Sequence, residues 1–348
     1  MRACVIRATG GLDQIELADV PEPAGPLGPR EVRIAIRAGA LNHLDLFVVR
    51  GMPRDYRFPH ILGADGAGVV DAVGAEVGTV KPGDRVMFNP GLSDYTCEFC
   101  RAGEHSLCVN YRLLGEHLHG TLAEYLVVPE QNVALIPALT PPLTWAEAAA
   151  FSLVTLTAWR MVVTRAQVQP GETVLVWGIG GGVSLAALQI AKLRGARVIV
   201  TSSHDAKLQE ARRLGAEITL NHRTQKVAQE VRALTSKRGV DVVIDHVGQV
   251  TWDESLRCLA RGGRLVTCGA TTGPQVGLDL RRLFWFQWTL LGSTMGNAAE
   301  YREIMRVLGG GELRPVMDRV FPFAESRAAF ERLERSEQLG KIAIQVAE

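Results

Sequence analysis

A glycine-rich turn between an apolar strand and a helix constrains the fold of this 348-residue chain more than any other segment. The strand is predicted at Val174–Trp177, and the helix is predicted from Leu185 to Arg194. Glycines let the backbone approach a pyrophosphate, and the N-terminus of a helix favours its negative charge. The turn therefore predicts a dinucleotide cradle, with an ordinary strand-to-helix turn as the alternative. The predicted cofactor-binding residues of the turn are Gly178, Gly181, Gly182 and Val183.

Short apolar runs continue to alternate with helical patterns after this turn, which predicts βαβ units and a parallel sheet. Before about residue 130, short strands are instead separated by Gly and Pro, which predicts an irregular β-rich domain. The predicted fold class is therefore α/β, with a β-rich domain and a doubly wound parallel sheet. The apolar runs are Thr173–Trp177, Arg197–Thr201, Glu217–Leu220, Asp241–Asp245, Arg264–Cys268 and Thr289–Ser293.

The residues after the second of these runs indicate which dinucleotide the chain binds. An Asp or Glu about 20 residues beyond the turn would bind the ribose 2′-hydroxyl of NAD. This chain instead has Ser202 and Ser203 there, followed by Lys207. Hydroxyls and a cation suit a 2′-phosphate, so NADPH is the predicted cofactor. Asp205 lies slightly further along the chain and keeps NADH as a less favoured alternative.

Three cysteines, Cys97, Cys100 and Cys108, lie in one short segment. A Cys-x-x-Cys pair with a third cysteine nearby has the spacing of a tetrahedral zinc site. Asp94 precedes Cys97 by the same interval and His105 lies inside the segment, so both are candidates for the fourth ligand, and we take Asp94 into the predicted set. Four protein ligands leave no open coordination position, so the predicted zinc is structural. Three reduced cysteines without a metal are the alternative.

Composition excludes several classes of partner. Lys plus Arg (38) nearly equals Asp plus Glu (37), so no large basic field is available for nucleic acid. No window approaches the roughly 18 uninterrupted apolar residues of a membrane helix, and the first residues lack the apolar stretch of a signal peptide. Six cysteines are too sparse for a disulfide scaffold. The chain is therefore predicted to be a cytoplasmic enzyme that acts on a small molecule.

The order of these motifs resembles the medium-chain dehydrogenase/reductase superfamily, which contains zinc alcohol dehydrogenases and their quinone oxidoreductase relatives. The resemblance covers essentially the whole chain. It implies a GroES-like catalytic domain at 1–154 and 297–348, a Rossmann domain at 155–296, and a cleft between them. It also implies a homodimer or a dimer of dimers, for which the apolar segment Leu283–Leu291 is a candidate interface. The motifs that carry it are Gly63–Val70, Cys97/Cys100/Cys108, Gly120–Tyr125, the glycine turn and Leu339–Ile342.

The chain departs from the zinc alcohol dehydrogenases at the catalytic metal. By alignment of motifs, two of the positions that carry the family's zinc ligands hold Asn42 and Ala64 here, and the third falls near Leu153. These side chains cannot replace thiolate and imidazole on zinc, and Leu44 replaces the hydroxyl residue of the family's proton relay. Because no Lewis acid would then form an alkoxide, reduction of an electron-poor acceptor is the easier chemistry.

The remaining pattern is similar to the quinone oxidoreductase and enone reductase branch, in which NADPH delivers hydride to a quinone or an α,β-unsaturated carbonyl. In that branch Asn42 would orient the substrate oxygen or the nicotinamide. The catalytic residues that the resemblance implies are Asn42, Asp45, Asp65 and Thr155, and the further cofactor-binding residues are His43, Gly269, Ser293 and Lys341.

Two other functions stay open from the sequence. An alcohol dehydrogenase with unusual metal ligands would use His117 or His119, which would share one face of a strand. A non-catalytic protein would bind NADPH tightly and act as a redox sensor or structural partner. Metal content and turnover separate these functions from the reductase.

Overall fold

Alternating apolar side chains build the main sheet of the first part of the chain. In the computed structural model, which describes residues 1–23 and 25–347, the strand Glu31–Ala40 (β3) buries Val32, Ile34 and Ile36. This period of two is that of a strand with one face on a core. The strand pairs antiparallel with Asp65–Val73 (β5), and Ala40 lies opposite Asp65. The C-terminal end of β3 therefore lies beside the N-terminal end of β5.

The chain divides into two units, Met1–Leu153 with Asn297–Glu348 and Val154–Gly296. The predicted boundaries, after residues 154 and 296, differ from this division by one residue at the first position. The core of the first unit is built from both of its chain segments, since Phe330 and Ile342 share a buried cluster with Leu62.

The first unit consists mainly of short strands in antiparallel sheets. The strands are β1 (Arg2–Ile6), β2 (Ile15–Asp19), β3, β4 (His60–Ile61), β5, β6 (Arg85–Phe88), β7 (Gly91–Leu92), β8 (Arg112–Leu113), β9 (Tyr125–Pro129), β10 (Val133–Leu135), β17 (Met317–Pro322) and β18 (Lys341–Gln345). The helices are α1 (His43–Arg50), α2 (Glu98–Arg101), α9 (Ala298–Gly309) and α10 (Ser326–Glu334). The largest sheet has the order β10-β6-β5-β3-β18-β17, with β9 also on β3. This order brings the C-terminal strand β18 beside β3.

The second unit is a parallel sheet of six strands with helices between them. The strands are β11 (Thr173–Val176), β12 (Arg197–Ser202), β13 (Ile218–Asn221), β14 (Val240–Asp245), β15 (Leu259–Thr267) and β16 (Thr289–Gly292). The helices are α4 (Gly182–Leu193), α5 (Asp205–Arg213), α6 (Val227–Leu234), α7 (Gln249–Cys258) and α8 (Leu280–Phe286). The order β13-β12-β11-β14-β15-β16 is that of a doubly wound dinucleotide-binding sheet. The glycine turn follows β11, where the direction of strand progression reverses.

The apolar segment Leu283–Leu291 is not one continuous strand, although its composition would allow one; it is divided between a helix and a strand. Its first residues belong to α8, whose N-terminus is capped because Asp279 Oδ1 accepts the N–H of Arg281 at 3.0 Å. The helix ends at Gln287, which has a left-handed φ of +53°. Only the last part of the segment forms β16. Aromatic residues tolerate both helix and strand, so the cap and the turn decide the local structure.

A helix of 21 residues, Trp145–Arg165, is long and apolar enough to cross a membrane by length and composition. Its α-helical part is α3 (Trp145–Trp159), and the last residues continue as a π-helical turn. Of its apolar window, 89% is buried inside the protein. Such burial is typical of a core helix, because a fully apolar helix has no polar face for solvent.

Candidate active site and metal site

The glycine turn lies where the central strand β11 ends and helix α4 begins. Gly178 has a φ of +62°, in the left-handed region that favours glycine. The hydroxyl of Ser184 lies 3.1 Å from the carbonyl oxygen of Gly178 and 2.9 Å from that of Gly181, which closes the turn. Gly182 and Val183 are the first residues of α4. The first N–H groups of α4 therefore lie at the turn, and this arrangement fits a pyrophosphate.

The side chain of Lys207 lies over this turn. Gly180 has a φ of +131°, and a Cβ atom placed on it would lie only 2.8 Å from Cδ of Lys207. The absence of a side chain at Gly180 is therefore what leaves room for Lys207. A cation at a glycine turn stabilises phosphate groups, so the cradle fits a dinucleotide.

The end of β12 and the residues that follow it carry two hydroxyl groups, on Ser202 and Ser203, and one carboxylate, on Asp205. Ser202 Oγ accepts the N–H of His204 at 3.2 Å, and Ser203 Oγ lies 2.8 Å from His204 Nδ1. Asp205 Oδ1 accepts a side-chain N–H of Asn221 at 2.7 Å. The carboxylate that keeps NADH as an alternative is thus hydrogen-bonded to the neighbouring strand β13.

The ends of β15 and β16 carry two further predicted cofactor-binding residues. Ser293 donates its N–H to the carbonyl oxygen of Thr267 at 2.9 Å, and its Oγ is buried with no hydrogen-bond partner among the described residues. A buried hydroxyl without a partner is costly unless a ligand supplies one. A Cβ on Gly269 would lie 2.8 Å from the carbonyl oxygen of His246, so the backbone passes too close for a side chain.

Two predicted site residues, His43 and Thr155, lie in helices. His43 is the first residue of α1 and is half-buried. Thr155 lies in α3 and is buried.

A buried ion pair occupies the start of β5 in the first unit. The ammonium of Lys341 lies 3.0 Å from Asp65 Oδ2, and their side chains are 4% and 0% exposed. The same ammonium donates to Asn42 Oδ1 at 2.6 Å and to the carbonyl oxygen of Leu41 at 2.7 Å. Asn42 Nδ2 donates to Asp65 Oδ2 at 3.0 Å. These donors and acceptors fix the orientation of the Asn42 amide. We call Asn42, Asp65 and Lys341 the buried cluster.

Two of these predicted site residues are engaged with each other. The three N–H groups of the Lys341 ammonium have acceptors on Leu41, Asn42 and Asp65, which leaves no N–H of this ammonium for a cofactor. The reason is that β18 pairs with β3, which places Lys341 beside Leu41. Asn42 was expected to orient the substrate oxygen or the nicotinamide, and in the structure its amide is hydrogen-bonded to Asp65 and Lys341.

Asp45 adjoins the buried cluster and differs from an ordinary aspartate. Its Oδ2 accepts the N–H of Asn42 at 2.7 Å, whereas its Oδ1 is buried and has no hydrogen-bond partner among the described residues. Burial raises the pKa of the Asp45 carboxyl to about 7, although the Asn42 N–H and the Lys341 charge oppose this rise. Asp45 is therefore able to hold a proton near neutral pH.

The three positions that hold zinc ligands in zinc alcohol dehydrogenases come together around this ion pair. The N–H of Leu153 donates to Asp65 Oδ1 at 2.9 Å, Ala64 directly precedes Asp65, and Asn42 is bonded to it. Alanine and leucine side chains offer no metal ligand, and the Asn42 amide is already engaged. These residues do not fit a catalytic zinc.

The predicted zinc ligands form a second site. One ligand atom from each of Asp94, Cys97, Cys100 and Cys108 lies within 4.8 Å of all the others, and no other group of this kind was found among residues 1–23 and 25–347. The N–H groups of Asp94 and Asn110 donate to Cys108 Sγ at 3.3 and 3.4 Å. The set fits a tetrahedral zinc with no open position.

Asp94 is oriented by hydrogen bonds from its surroundings. Its Oδ1 accepts the N–H groups of Thr96 and Cys97 at 2.8 and 3.0 Å, and its Oδ2 accepts the side chain of Asn110 at 2.8 Å. These donors hold the pKa of the Asp94 carboxyl well below its usual range. The contact of Asn110 with Asp94 was not predicted, because only the nearness of Asn110 to Cys108 along the chain hints at it.

His105, the other candidate for the fourth ligand, points to different partners. Its Nδ1 accepts the N–H of Ala298 at 3.3 Å, and its ring packs on Tyr95 with the centroids 4.6 Å apart. It is not a member of the group that Asp94 and the cysteines form. The structure therefore favours Asp94.

His117 and His119, the alternative metal ligands, each hold a loop. His117 Nδ1 accepts the N–H of Leu113 at 3.1 Å, and His119 Nδ1 accepts that of Ile61 at 3.3 Å. Burial lowers the pKa of His117 to about 4 and also lowers that of His119. Neither belongs to a group of three or more metal-ligating side chains among the described residues.

Two family models match the chain, one inside the first unit and one mainly in the second. Residues 28–138 match the alcohol dehydrogenase GroES-like domain, and residues 182–309 match the zinc-binding dehydrogenase domain. The fold and these matches define an oxidoreductase with a GroES-like and a Rossmann-type domain.

Individual proteins of this class match over nearly their whole length. The quinone oxidoreductase of Pseudomonas aeruginosa is 32% identical, covering 94% of both chains. The acryloyl-coenzyme A reductase of Metallosphaera sedula is 30% identical, covering 99% of both. A crystal structure of an NAD-dependent alcohol dehydrogenase is 46% identical, covers 100% of both chains and superimposes with a TM-score of 0.95. The chain belongs to the medium-chain dehydrogenase/reductase superfamily, which confirms the predicted family and fold class.

Proposed function

We propose that the protein is an NADPH-dependent reductase that transfers hydride to a quinone or an α,β-unsaturated carbonyl. The observation that carries this proposal is the buried cluster. It stands where zinc alcohol dehydrogenases bind their catalytic metal, and its residues do not fit that metal. A quinone or enone is already electron-poor and accepts hydride without a metal-bound alkoxide. Relatives named quinone oxidoreductase and acryloyl-coenzyme A reductase support this choice.

NADPH, when bound, supplies the hydride. The glycine turn and the N-terminus of α4 would hold its pyrophosphate, and Ser202, Ser203 and Lys207 would hold its 2′-phosphate. The hydrogen bond between Asp205 and Asn221 supports NADPH over NADH, because it keeps the competing carboxylate on β13. Ser293 would supply a hydroxyl to the nicotinamide carboxamide, since that hydroxyl has no partner among the described residues.

The residues of the first unit would hold the acceptor rather than activate it through a metal. The ion pair between Lys341 and Asp65 is fully hydrogen-bonded, so it forms a rigid wall with little net charge. Asp45 would be the proton-holding group nearest to this wall, because burial raises its pKa to about 7. After hydride reaches the acceptor carbon, a proton from solvent would complete the reduction.

Asp94, Cys97, Cys100 and Cys108 would hold one structural zinc. The closeness of the four ligand atoms and the N–H groups around Asp94 and Cys108 support this assignment. The metal would tie the segment into one shape and leave no position for substrate.

The protein is further proposed to be cytoplasmic, to act on a small molecule and to have no nucleic-acid or membrane partner. We also propose a homodimer or a dimer of dimers, with α8 and β16 in the interface. The exposed Phe284 and Trp285 on α8 support such an interface.

The test is turnover and metal content on the same preparation. Consumption of NADPH is followed with 1,4-benzoquinones and with linear enones, and reduction of NAD⁺ and NADP⁺ is followed with primary and secondary alcohols. We expect NADPH-dependent reduction of quinones or enones and one zinc per chain. Absence of any acceptor-dependent turnover, with tight NADPH binding retained, would contradict the reductase and favour a non-catalytic NADPH-binding protein.

A zinc-dependent alcohol dehydrogenase is the second candidate. The observation that favours it is the 46% identity to a structure of an NAD-dependent alcohol dehydrogenase. Its metal would need ligands outside the family positions, such as His117 or His119. It predicts two zincs per chain and alcohol-dependent reduction of NAD⁺ that a chelator abolishes. The reductase predicts that enone reduction survives partial chelation.

A further inference from the structure

A cavity of about 370 Å³ opens on the second unit, away from the glycine turn. It lies beside the first residues of β14 and β15, whereas the glycine turn follows the last residue of β11. These three strands are parallel neighbours, so the cavity lies at the N-terminal ends of the strands and the cofactor cradle at their C-terminal ends. It is lined by Arg232, Lys237, Arg238, Leu259, Ala260, Arg261 and Phe286. The lining contains four cationic side chains and no acidic one.

The positive charges of this cavity are largely uncompensated. Arg238 pairs with Asp241 at 2.5 Å, but no carboxylate of the described residues pairs with Arg232, Lys237 or Arg261. Like charges that line one cavity repel one another, and the repulsion is strongest where water is partly excluded. An anion in the cavity would relieve this repulsion.

Arg232 forms the fixed part of the cavity wall. Its guanidinium donates to the carbonyl oxygens of Lys237 and Arg238 at 2.8 and 2.9 Å, and to those of Arg257 and Leu259 at 2.9 and 3.0 Å. These neutral acceptors hold the side chain without cancelling its charge. The positive charge of Arg232 is therefore held at a fixed place in the cavity wall.

The backbone before Arg238 is strained in a way that places Lys237 in the lining. Ser236 and Lys237 have φ values of +50° and +67°, in the left-handed region that is unfavourable for residues with side chains. The N–H of Lys237 donates to the carbonyl oxygen of Arg232 at 2.6 Å, which stabilises this turn. Such strain is often found where a side chain has to be positioned for a ligand.

Arg261 retains donors for a ligand. Its guanidinium lies 4.9 Å from the centroid of the Phe286 ring and donates one hydrogen bond, to the carbonyl oxygen of Trp285 at 3.3 Å. A guanidinium has five N–H donors in a planar fork that matches the oxygens of a phosphate. The ring contact orients the fork and leaves the other N–H groups available.

We propose that this cavity binds a small polyanion that carries two linked phosphate groups. Three uncompensated cations call for a ligand with at least two negative charges. The Arg261 fork and the Lys237 ammonium would contact its phosphate oxygens, while Arg232 contributes charge only, because its own N–H groups donate to backbone carbonyls. Inorganic pyrophosphate and the diphosphate of a nucleotide share this chemistry. Binding here would be separate from cofactor binding, because the two sites lie at opposite ends of the parallel strands.

The test is calorimetric titration of the full chain with inorganic pyrophosphate in the presence of saturating NADP⁺. We expect saturable binding that the double variant Lys237→Ala/Arg261→Ala weakens by at least about tenfold, because two charge-assisted contacts are lost. The matched control, Lys81→Ala/Arg212→Ala, removes the same two charges from exposed positions elsewhere and should bind as the wild type does. A parallel titration with ADP distinguishes the sources: tighter binding of ADP indicates a nucleotide, and equal binding indicates free diphosphate.

Two results with the wild type and the double variants would overturn the proposal, and a third comes from a variant of the cofactor cradle. One is the absence of pyrophosphate binding by the wild type; the other is equal affinity of the two double variants. A Lys207→Ala variant separates this site from the cofactor cradle, since cavity binding should persist in it whether or not the protein binds NADP⁺. Loss of pyrophosphate binding in Lys207→Ala would assign the binding to the cradle and also contradict the proposal. Circular dichroism checks that each variant is folded, and the single variant Lys237→Gln replaces the double one if needed.

Discussion

Lys341 lies on the C-terminal strand β18 and Asp65 near the N-terminal end of β5, yet their charges meet where water does not reach. Moving a charge out of water costs several kcal/mol unless it is paired and hydrogen-bonded. Both conditions hold, since the ammonium has three acceptors and Asp65 also accepts the N–H of Leu153. Each partner therefore depends on the other for its compensation.

Replacing the lysine alone should be strongly destabilising. In Lys341→Met the Asp65 carboxylate is left buried without a counter-charge, so we expect the free energy of unfolding to fall by about 3–5 kcal/mol. Urea denaturation measures this loss. Adding Asp65→Asn should recover part of it, and the exposed control Lys81→Met should be neutral. A Lys341→Met variant as stable as the wild type would contradict the burial of an unpaired charge.

The carboxyl of Asp45 makes stability depend on pH in an unusual direction. Its pKa is about 7 in the fold and 3.8 without burial, so the folded state binds the proton more tightly. This contribution to stability is fully present below about pH 4 and is lost as pH rises to about 7, at up to about 1.4 kcal/mol per pH unit. Asp45→Asn mimics the protonated form, so its stability should fall less over this range. Unfolding curves at several pH values measure the difference, and parallel profiles would refute it.

Lys207 should separate the two nicotinamide cofactors. Lys207→Ala removes the cation that we assign to the 2′-phosphate, so we expect KM for NADPH to rise about tenfold while KM for NADH, which lacks that phosphate, changes little. Steady-state kinetics with both cofactors measure the split. Lys192→Ala, at an exposed position on α4, is the matched control. An equal rise for both cofactors would assign Lys207 to the pyrophosphate rather than the 2′-phosphate.

Among the elements, the segment around the three cysteines has the least structure of its own. The helix α2 has four residues and the strands β7 and β8 have two each. Helices and hairpins of this size are not stable in isolation. The segment therefore depends on cross-links between its side chains, and a bound zinc would supply them.

Removing the fourth ligand should cost the protein its zinc. Because zinc prefers four protein ligands in a structural site, we expect Asp94→Ala to lose most of the metal and to be cleaved by protease near α2. His105→Ala should retain one zinc per chain, since His105 bonds to Ala298 instead. Elemental analysis after dialysis and limited proteolysis measure both effects. Equal zinc contents in the two variants would exclude Asp94 as a ligand.

Local patterns predicted some elements well and others poorly. The glycine turn, the six parallel strands and the cysteine site follow from residue types at short spacing, which the sequence displays directly. The α8 helix was not predicted, because Leu283–Phe286 is apolar and aromatic and only the cap at Asp279 distinguishes helix from strand. The partners of Lys341 were also missed, since the contact joins residues about 300 positions apart and depends on the pairing of β18 with β3.

At the scale of the whole molecule, helix α8 of the second unit exposes large apolar side chains to solvent. Phe284 and Trp285 on α8 are 67% and 64% exposed, and Leu280 is 64% exposed. The neighbouring strand β16 is the edge strand of the sheet, and an edge strand is a template for pairing with another chain. An apolar helix beside an open edge favours association with another copy of the chain.

Charges on this helix should prevent that association. We expect the wild type to be a dimer or a larger oligomer, and Phe284→Glu/Trp285→Glu to be monomeric, because carboxylates in an apolar interface lose their hydration. Light scattering after size exclusion measures the mass. Arg281→Glu/Arg282→Glu, which changes charge on the same helix without removing apolar area, tests whether charge alone has the effect. A wild type that is monomeric at all concentrations would contradict the proposed assembly.

The buried pairing of Lys341 with Asp65 also bears on the order in which the two units fold during synthesis. A ribosome releases Asp65 long before Lys341, so the carboxylate has no counter-charge while most of the protein is being synthesised. The second unit is one uninterrupted stretch, 154–296, and has all of its strands before β18 appears. Because domains fold as units during synthesis, the nucleotide-binding half should mature first and the GroES-like half should close last. Premature termination before β18 would then leave an intact second unit attached to an uncompleted partner, which is the kind of species that quality-control proteases remove.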